Sequence, residues 1–133
     1  MREISGGRLL RALVFSLAIG TSGCVAAAAA GAAGAVYATS RGVESVVNGS
    51  ADNVAGRARA VFKEMGITED AASTKEAGTQ REIKGKQGDL DVTVQMEQQD
   101  TATTKVEVTA RKNLAEWDKD YARKVLESIV KKS

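Results

Sequence analysis

The sequence predicts an α+β domain: a helix, a four-stranded antiparallel meander and a second helix, with both helices on one face of the sheet. Three observations predict it. Apolar residues recur at three- and four-residue steps from Val43 to Met65. They alternate with polar residues in two runs, Leu90 to Met96 and Val106 to Ala110. The helical spacing then returns from Leu114 to Ile129.

In the first helix, Val43, Val47, Val54, Ala58, Val61, Phe62 and Met65 share a face, and Arg57, Arg59, Lys63 and Glu64 fall mostly between them. Asn48, Ser50 and Asp52 each suit a cap near its start, because a short side-chain oxygen accepts from an unpaired amide of the first turn. Gly66 suits its end, since glycine takes a left-handed cap without a Cβ clash. Ile67 to Thr74 reads as a weak first strand ended near Gly78, and Thr79 to Lys86 as a polar strand with Ile83 inward. Gln87-Gly88-Asp89 and Gln98 to Ala102 supply turns around the third strand, and the fourth carries Val106, Val108 and Ala110 inward. Short turns favour antiparallel neighbours. In the last helix Leu114, Trp117, Tyr121, Val125 and Ile129 share a face, with Asn113 and Glu116 spaced as a capping box. Phe62 and Trp117 are expected against Val92, Val94, Val106 and Val108 in one core. Truncating a Trp117 buried there to Ala would cost about 3–5 kcal/mol.

The start of the chain points to a membrane. Arg2, Arg8 and Arg11 outweigh Glu3, the apolar stretch from Ala12 to Gly20 follows, and Thr21-Ser22-Gly23 leads to Cys24, the only cysteine. That stretch is too short to span a bilayer alone, which takes about 20 residues. Thr21-Ser22-Gly23-Cys24 resembles a lipobox, with Thr21 in place of the usual Leu. The resemblance implies cleavage between Gly23 and Cys24 and a lipid on the Cys24 thiol. Three other readings stand beside it. The alanines after Val25 offer a cut for ordinary signal peptidase, the apolar run extended to Ala38 makes an uncleaved helix, and a lone cysteine is commonly a buried thiol. The expected organisation is a signal over 1–23, a lipidated Cys24 with an Ala/Gly-rich tether over 24–42, and the domain over 43–133. Fully extended, a tether of that length reaches about 60 Å. Its alternative is a helix that packs through its small residues, with Tyr37 and Arg41 at an interface edge.

Composition excludes more than it proposes. Without residues 1–23, Lys plus Arg and Asp plus Glu number 16 each, so the net charge of +2 belongs to the signal and is no sign of nucleic-acid binding. The chain has no His, and acylation of Cys24 removes the one thiol, leaving neither the commonest general base nor a sulfur nucleophile. No Gly-rich phosphate loop occurs. Asp89-x-Asp91 and Asp118-x-Asp120 are carboxylate pairs, but neither brings the six to eight oxygens that calcium needs, so both read as solvated charge. Asn48-Gly49-Ser50 fits a glycosylation triplet and reads instead as the polar start of a helix. No cofactor or metal is expected.

From Gly23-Cys24 through the Ala/Gly segment to Tyr37, the helix ending at Gly66, the strands around Ile83, Val92 and Val106, and a last helix with Arg123 before Val125 and Ile129, the chain resembles a family of short bacterial lipoproteins of unknown function. That resemblance implies no activity or catalytic residue. The expectation is a non-enzymatic lipoprotein anchored to the cell membrane or outer membrane and facing the periplasm. Its open sheet face, with Thr93, Gln95, Lys105 and Thr109, would meet an envelope protein, glycan or lipid. The competing expectations are an integral membrane component with an uncleaved helix over 12–38, and a hydrolase that works through Asp89, Asp91 and Glu107 alone.

Overall fold

Two backbone periods decide this architecture, and one of them begins earlier in the chain than its apolar spacing implies. The computed structural model describes residues 34–132. Cys24, Gly23 and the rest of the signal lie outside them. In order come β1 (Tyr37–Ala38), β2 (Gly42–Asn48), α1 (Ala51–Met65), β3 (Thr68–Lys75), a 3-10 turn (Glu76–Gly78), β4 (Gln80–Gln87), β5 (Leu90–Gln98), β6 (Thr103–Arg111) and α2 (Lys119–Lys131). The strands form one antiparallel sheet in the order β1-β2-β6-β5-β4-β3.

The expected helix, four-strand meander and helix are therefore overturned: the sheet has six strands among the described residues, and a strand precedes the first helix. The cause is an ambiguous spacing. Val43 and Val47 are four apart, which places them on one face in a helix and in a strand alike. Ser45 between them is also buried, whereas Glu44 and Val46 are turned to the other side, so the period is two. The β-branched Val43, Val46 and Val47 favour extended backbone. β2 pairs along its length with β6, from Gly42 opposite Thr109 to Asn48 opposite Thr103.

The true start of α1 is Ser50, whose hydroxyl accepts from the Asn53 amide at 3.2 Å. Its end is Gly66, left-handed at φ 73°, with the Ile67 amide reaching back to the Phe62 carbonyl at 2.8 Å. The link from β2 into α1 is pinned to the β5–β6 turn. The Gly49 amide donates to Ala102 O at 2.7 Å, and the buried Thr104 hydroxyl donates to Gly49 O at 2.8 Å.

α2 begins later than expected. Asn113 and Glu116 do pair, Nδ2 to Oε2 at 3.1 Å, and the Ala115 amide donates to Asn113 Oδ1 at 2.9 Å, but these bonds close a loop and cap no helix. Leu114 is 89% exposed. The cap is Asp118, which accepts from the Tyr121 amide at 2.9 Å.

Both helices contribute to a single core. Val54, Ala58, Val61 and Phe62 of α1 and Ala122, Val125, Leu126 and Ile129 of α2 pack on Val43, Val47, Ile83, Val92, Val94, Val106 and Val108. Trp117 is not part of it, which corrects the expected placement. Gly85 makes room in that core: a Cβ there would lie 2.8 Å from Phe62 Cε2 and 2.7 Å from the Thr68 carbonyl oxygen.

Ordered structure also reaches into the stretch read as tether. The Gly34 amide donates to Val46 O at 2.7 Å, Val36 packs on the core, and Tyr37 and Ala38 pair with Glu44 and Val43. Residues 34–38 are not helical, and no helix among the described residues is long and apolar enough to cross a membrane.

Candidate functional site

With α1 and α2 packed on one side, the other side of the sheet is left uncovered by the described residues, and strand alternation sends every second residue there. Cross-strand register orders these residues into rows. Thr109 lies opposite Thr93, which lies opposite Lys84. The next row runs Glu44, Glu107, Gln95, Glu82 and Ser73, and the one after it Val46, Lys105, Glu97, Gln80 and Lys75. Thr93, Gln95, Lys105 and Thr109, the residues singled out from the sequence, thus sit together in three adjacent rows of one face.

The face is polar and internally cross-linked. Gln95 Nε2 donates to Glu82 Oε2 at 2.9 Å, and Lys84 Nζ is 3.5 Å from the other Glu82 oxygen. Lys86 and Asp91 approach to 3.8 Å, and Lys105 and Glu44 to 4.0 Å. Solvated pairs of this kind contribute about 0–1 kcal/mol each, so they tune charge more than they hold the sheet. Glu44 directly opposite Glu107 is a like-charge pair, which a sheet tolerates at a small cost.

Sequence reasoning missed the aromatic part of this surface. After β6 the chain folds back, so that the Asp118 amide reaches Ala110 O at 2.7 Å and Trp117 forms an antiparallel bridge with Arg111. Bridge partners project to the same face, so the indole joins the open side of the sheet, half-buried. The Arg41 and Arg111 guanidinium groups lie 5.6 and 5.8 Å from its ring centroid, within cation–π range. Arg41, Trp117 and Arg111 rim a depression of about 470 Å³ that extends over Thr93, Gln95 and Thr109, within the size range of small-ligand sites. A smaller hollow of about 240 Å³ lies further along the face, between Lys75, Glu82, Glu97 and Lys105. The spacing from Trp117 to Tyr121 is helical and conceals this placement; only the loop bonds of 112–118 show that the helix has not yet begun.

The carboxylates considered for catalysis do not converge. Asp91 stands opposite Arg111 and Glu107 opposite Gln95, four residues apart along β6, and the exposed Asp89 belongs to the turn before β5. Asp118 is engaged as the cap of α2, with Asp120 exposed in the first turn. Among the described residues no three of His, Cys, Asp and Glu come together in a metal-binding group. Asn48-Gly49-Ser50 serves the start of α1: the Asn48 carbonyl accepts from Arg57 at 2.6 Å and Ser50 is the cap.

Two titratable groups away from this face are displaced from their usual range. Backbone amides of Ala102 and Thr103 donate to Asp100 and hold its carboxyl below the ordinary value. Burial, aided by the negative charge of Asp118, pushes the Tyr121 phenol up. Comparison with protein-family models finds no match for this chain, and comparisons with curated proteins and with solved structures find none either.

Proposed function

We propose that this protein is a bacterial envelope lipoprotein, held to the cell membrane or outer membrane by a lipid on Cys24, whose periplasm-facing domain binds a partner and catalyses no reaction. One observation carries the binding part of this reading: among the described residues the six-stranded sheet is covered by helices on one side only, and the other side gathers Thr93, Gln95, Lys105 and Thr109 beside a half-buried Trp117. Antiparallel sheets commonly leave one face to solvent, so it is the half-buried aromatic group and the depression, and not bareness itself, that make this face a candidate for recognition. Reading the chain as a catalyst is disfavoured by the absence of His and the separation of Asp91 from Glu107.

The anchor part of the reading rests on the order of basic start, apolar stretch and Gly23-Cys24, and on the resemblance to short bacterial lipoproteins. The pairing of Tyr37 and Ala38 with β2 and the packing of Val36 on the core support a short leash. The ten residues from Cys24 to Ala33 would span about 35 Å at full extension. A domain on such a leash searches only the space near its membrane.

Mass spectrometry of the membrane fraction tests the anchor. The expected mature terminus is an acylated Cys24, and an intact Met1 would replace this reading with an integral protein carrying an uncleaved helix. A photocrosslinking amino acid at Gln95, activated in intact membranes, tests the face. A neighbour that crosslinks from Gln95 and not from the exposed Lys124 on α2 is expected; equal yields from both positions would remove the sheet face as the contact surface.

A further inference from the structure

We propose that Arg41, Trp117 and Arg111 form the recognition end of the sheet face for an acidic oligosaccharide, with the sugar carboxylates held by the two guanidinium groups and its hydroxyls by Thr93 and Thr109. This deepens the proposed binding function and rests on it.

The two arginines are the starting point. Neither has a carboxylate within ion-pair distance among the described residues, although Glu44, Glu82, Asp91 and Glu107 lie on the same face. The acids closest in the sheet are otherwise engaged: Asp91 with Lys86, and Glu44 with Lys105. Contact with an indole gives a guanidinium no oxygen acceptor, and its planar fork of N–H donors matches a carboxylate in two parallel hydrogen bonds. Trp117 holds both guanidinium groups at the rim of the depression, their centres 5.6 and 5.8 Å from its ring centroid. Its own position is fixed by the bridge to Arg111 and by the Asp118 amide on Ala110 O, so little ordering remains to be done on binding.

The ligand class follows from the floor. Between the arginines and the middle of the sheet lie Thr109 and Thr93, directly opposite one another, and then Gln95. Asp70, Glu82, Asp91 and Glu107 also line the depression, and its two lysines are paired, Lys84 with Glu82 and Lys86 with Asp91, so the cations outside an ion pair are those of the arginine end. Hydroxyl and amide groups both donate and accept, which suits a ligand rich in hydroxyls. An acidic peptide would need apolar pockets for its side chains or an unpaired strand edge for its backbone. The depression offers neither, because β6 and β5 are paired on both sides and their inward side chains are buried in the core. A lipid surface would need a broad cationic or apolar patch, whereas this face mixes both signs of charge. The site lies at the Gly42 end of β2, away from Val46, where Gly34 brings the chain in.

Trp117 is the only tryptophan, so its emission reports directly on the site. The full chain, purified from membranes in neutral detergent, is titrated with tetragalacturonate, with maltotetraose as the neutral control and hexaglutamate as the acidic peptide control. Saturable change in Trp117 emission with tetragalacturonate only is expected. Arg41→Gln and Arg111→Gln should each weaken binding about tenfold or more, since a charge-assisted pair is lost. Arg111→Lys should recover part of it at best, and all three variants should melt near the parent. No saturable response, equal binding of hexaglutamate, or unchanged affinity in both glutamine variants overturns the assignment. A specific neighbour crosslinked from Gln95 alongside a silent titration would remove the glycan and leave the binding domain standing.

Discussion

Tyr121 is a residue whose chemistry works against the fold. Its ring packs on the core, yet its hydroxyl is buried with no hydrogen-bond partner among the described residues. A buried hydroxyl that has given up water and gained nothing costs about 1–3 kcal/mol. Tyr121→Phe is therefore expected to stabilise the domain by about 1 kcal/mol, raising the melting temperature by roughly 4–8 °C. A lower melting temperature in that variant would mean that the hydroxyl has a partner in solution. The raised phenol pKa has a second consequence. The folded chain holds this proton more tightly than the unfolded one, so stability does not depend on the ionisation of Tyr121 below about pH 10 and falls as pH rises from there through the folded value. Asp100 has the opposite sign. Its carboxylate bonds the amides of Ala102 and Thr103 at 2.7 and 2.9 Å and closes the β5–β6 turn, so its pKa is lowered on folding. Its contribution is present above the unfolded value of about 3.9 and disappears as pH falls through the folded one. Asp100→Asn keeps an acceptor and loses the charge. In urea titrations it should be less stable than the parent at pH 7, with the gap narrowing below about pH 4; a gap independent of pH would show that the charge plays no part.

Among the elements, α1 and β4 are locked by one contact. Gly85 lacks a side chain where Phe62 crosses the sheet, and a methyl group there would sit 2.8 Å from the Phe62 ring and 2.7 Å from the Thr68 carbonyl oxygen. Gly85→Ala should cost about 1–3 kcal/mol as overpacking. Combining it with Phe62→Leu should recover only part of that, because the Thr68 oxygen belongs to paired backbone and cannot retreat. Full additivity in a double-mutant cycle would show that the two positions are not in contact. The same scale explains what the sequence could convey. β5 and β6 alternate cleanly because one face is buried and the other wet, and both are legible as strands. β3 has all eight residues exposed and a bulge between Glu69 and Ala71, features of a protected edge, so it leaves only a faint pattern. β2 is hidden by the four-residue spacing of Val43 and Val47, and the start of α2 by the helical step from Trp117 to Tyr121 across a loop. Periodicity identifies a face; it does not identify an element when two periods share the same spacing.

For the whole molecule, the open face is legible as an alternation of Thr93, Gln95, Lys105 and Thr109, but its aromatic rim is not. Arg41, Arg111 and Trp117 meet through a chain reversal after β6 that no local pattern encodes. The N-terminal boundary of the domain is equally hidden, since the Ala/Gly composition before Gly34 continues into residues that the fold uses. Gly34 donates to Val46 O, Val36 packs on the core, and β1 covers the outer edge of β2. Two truncations test how far the domain extends. A chain beginning at Gly34 should melt as the full chain does. A chain beginning at Gly42 loses the Val36 contact and the β1 pairing, and should be less stable by about 1–3 kcal/mol, close to the cost of uncovering one buried valine. It should also associate more readily, because the edge of β2 then exposes unpaired N–H and C=O groups beside Val46. Calorimetry with size-exclusion chromatography reads both effects. If the two truncations melt alike and both stay monomeric, residues 34–41 add nothing to the fold, and the domain begins at Gly42.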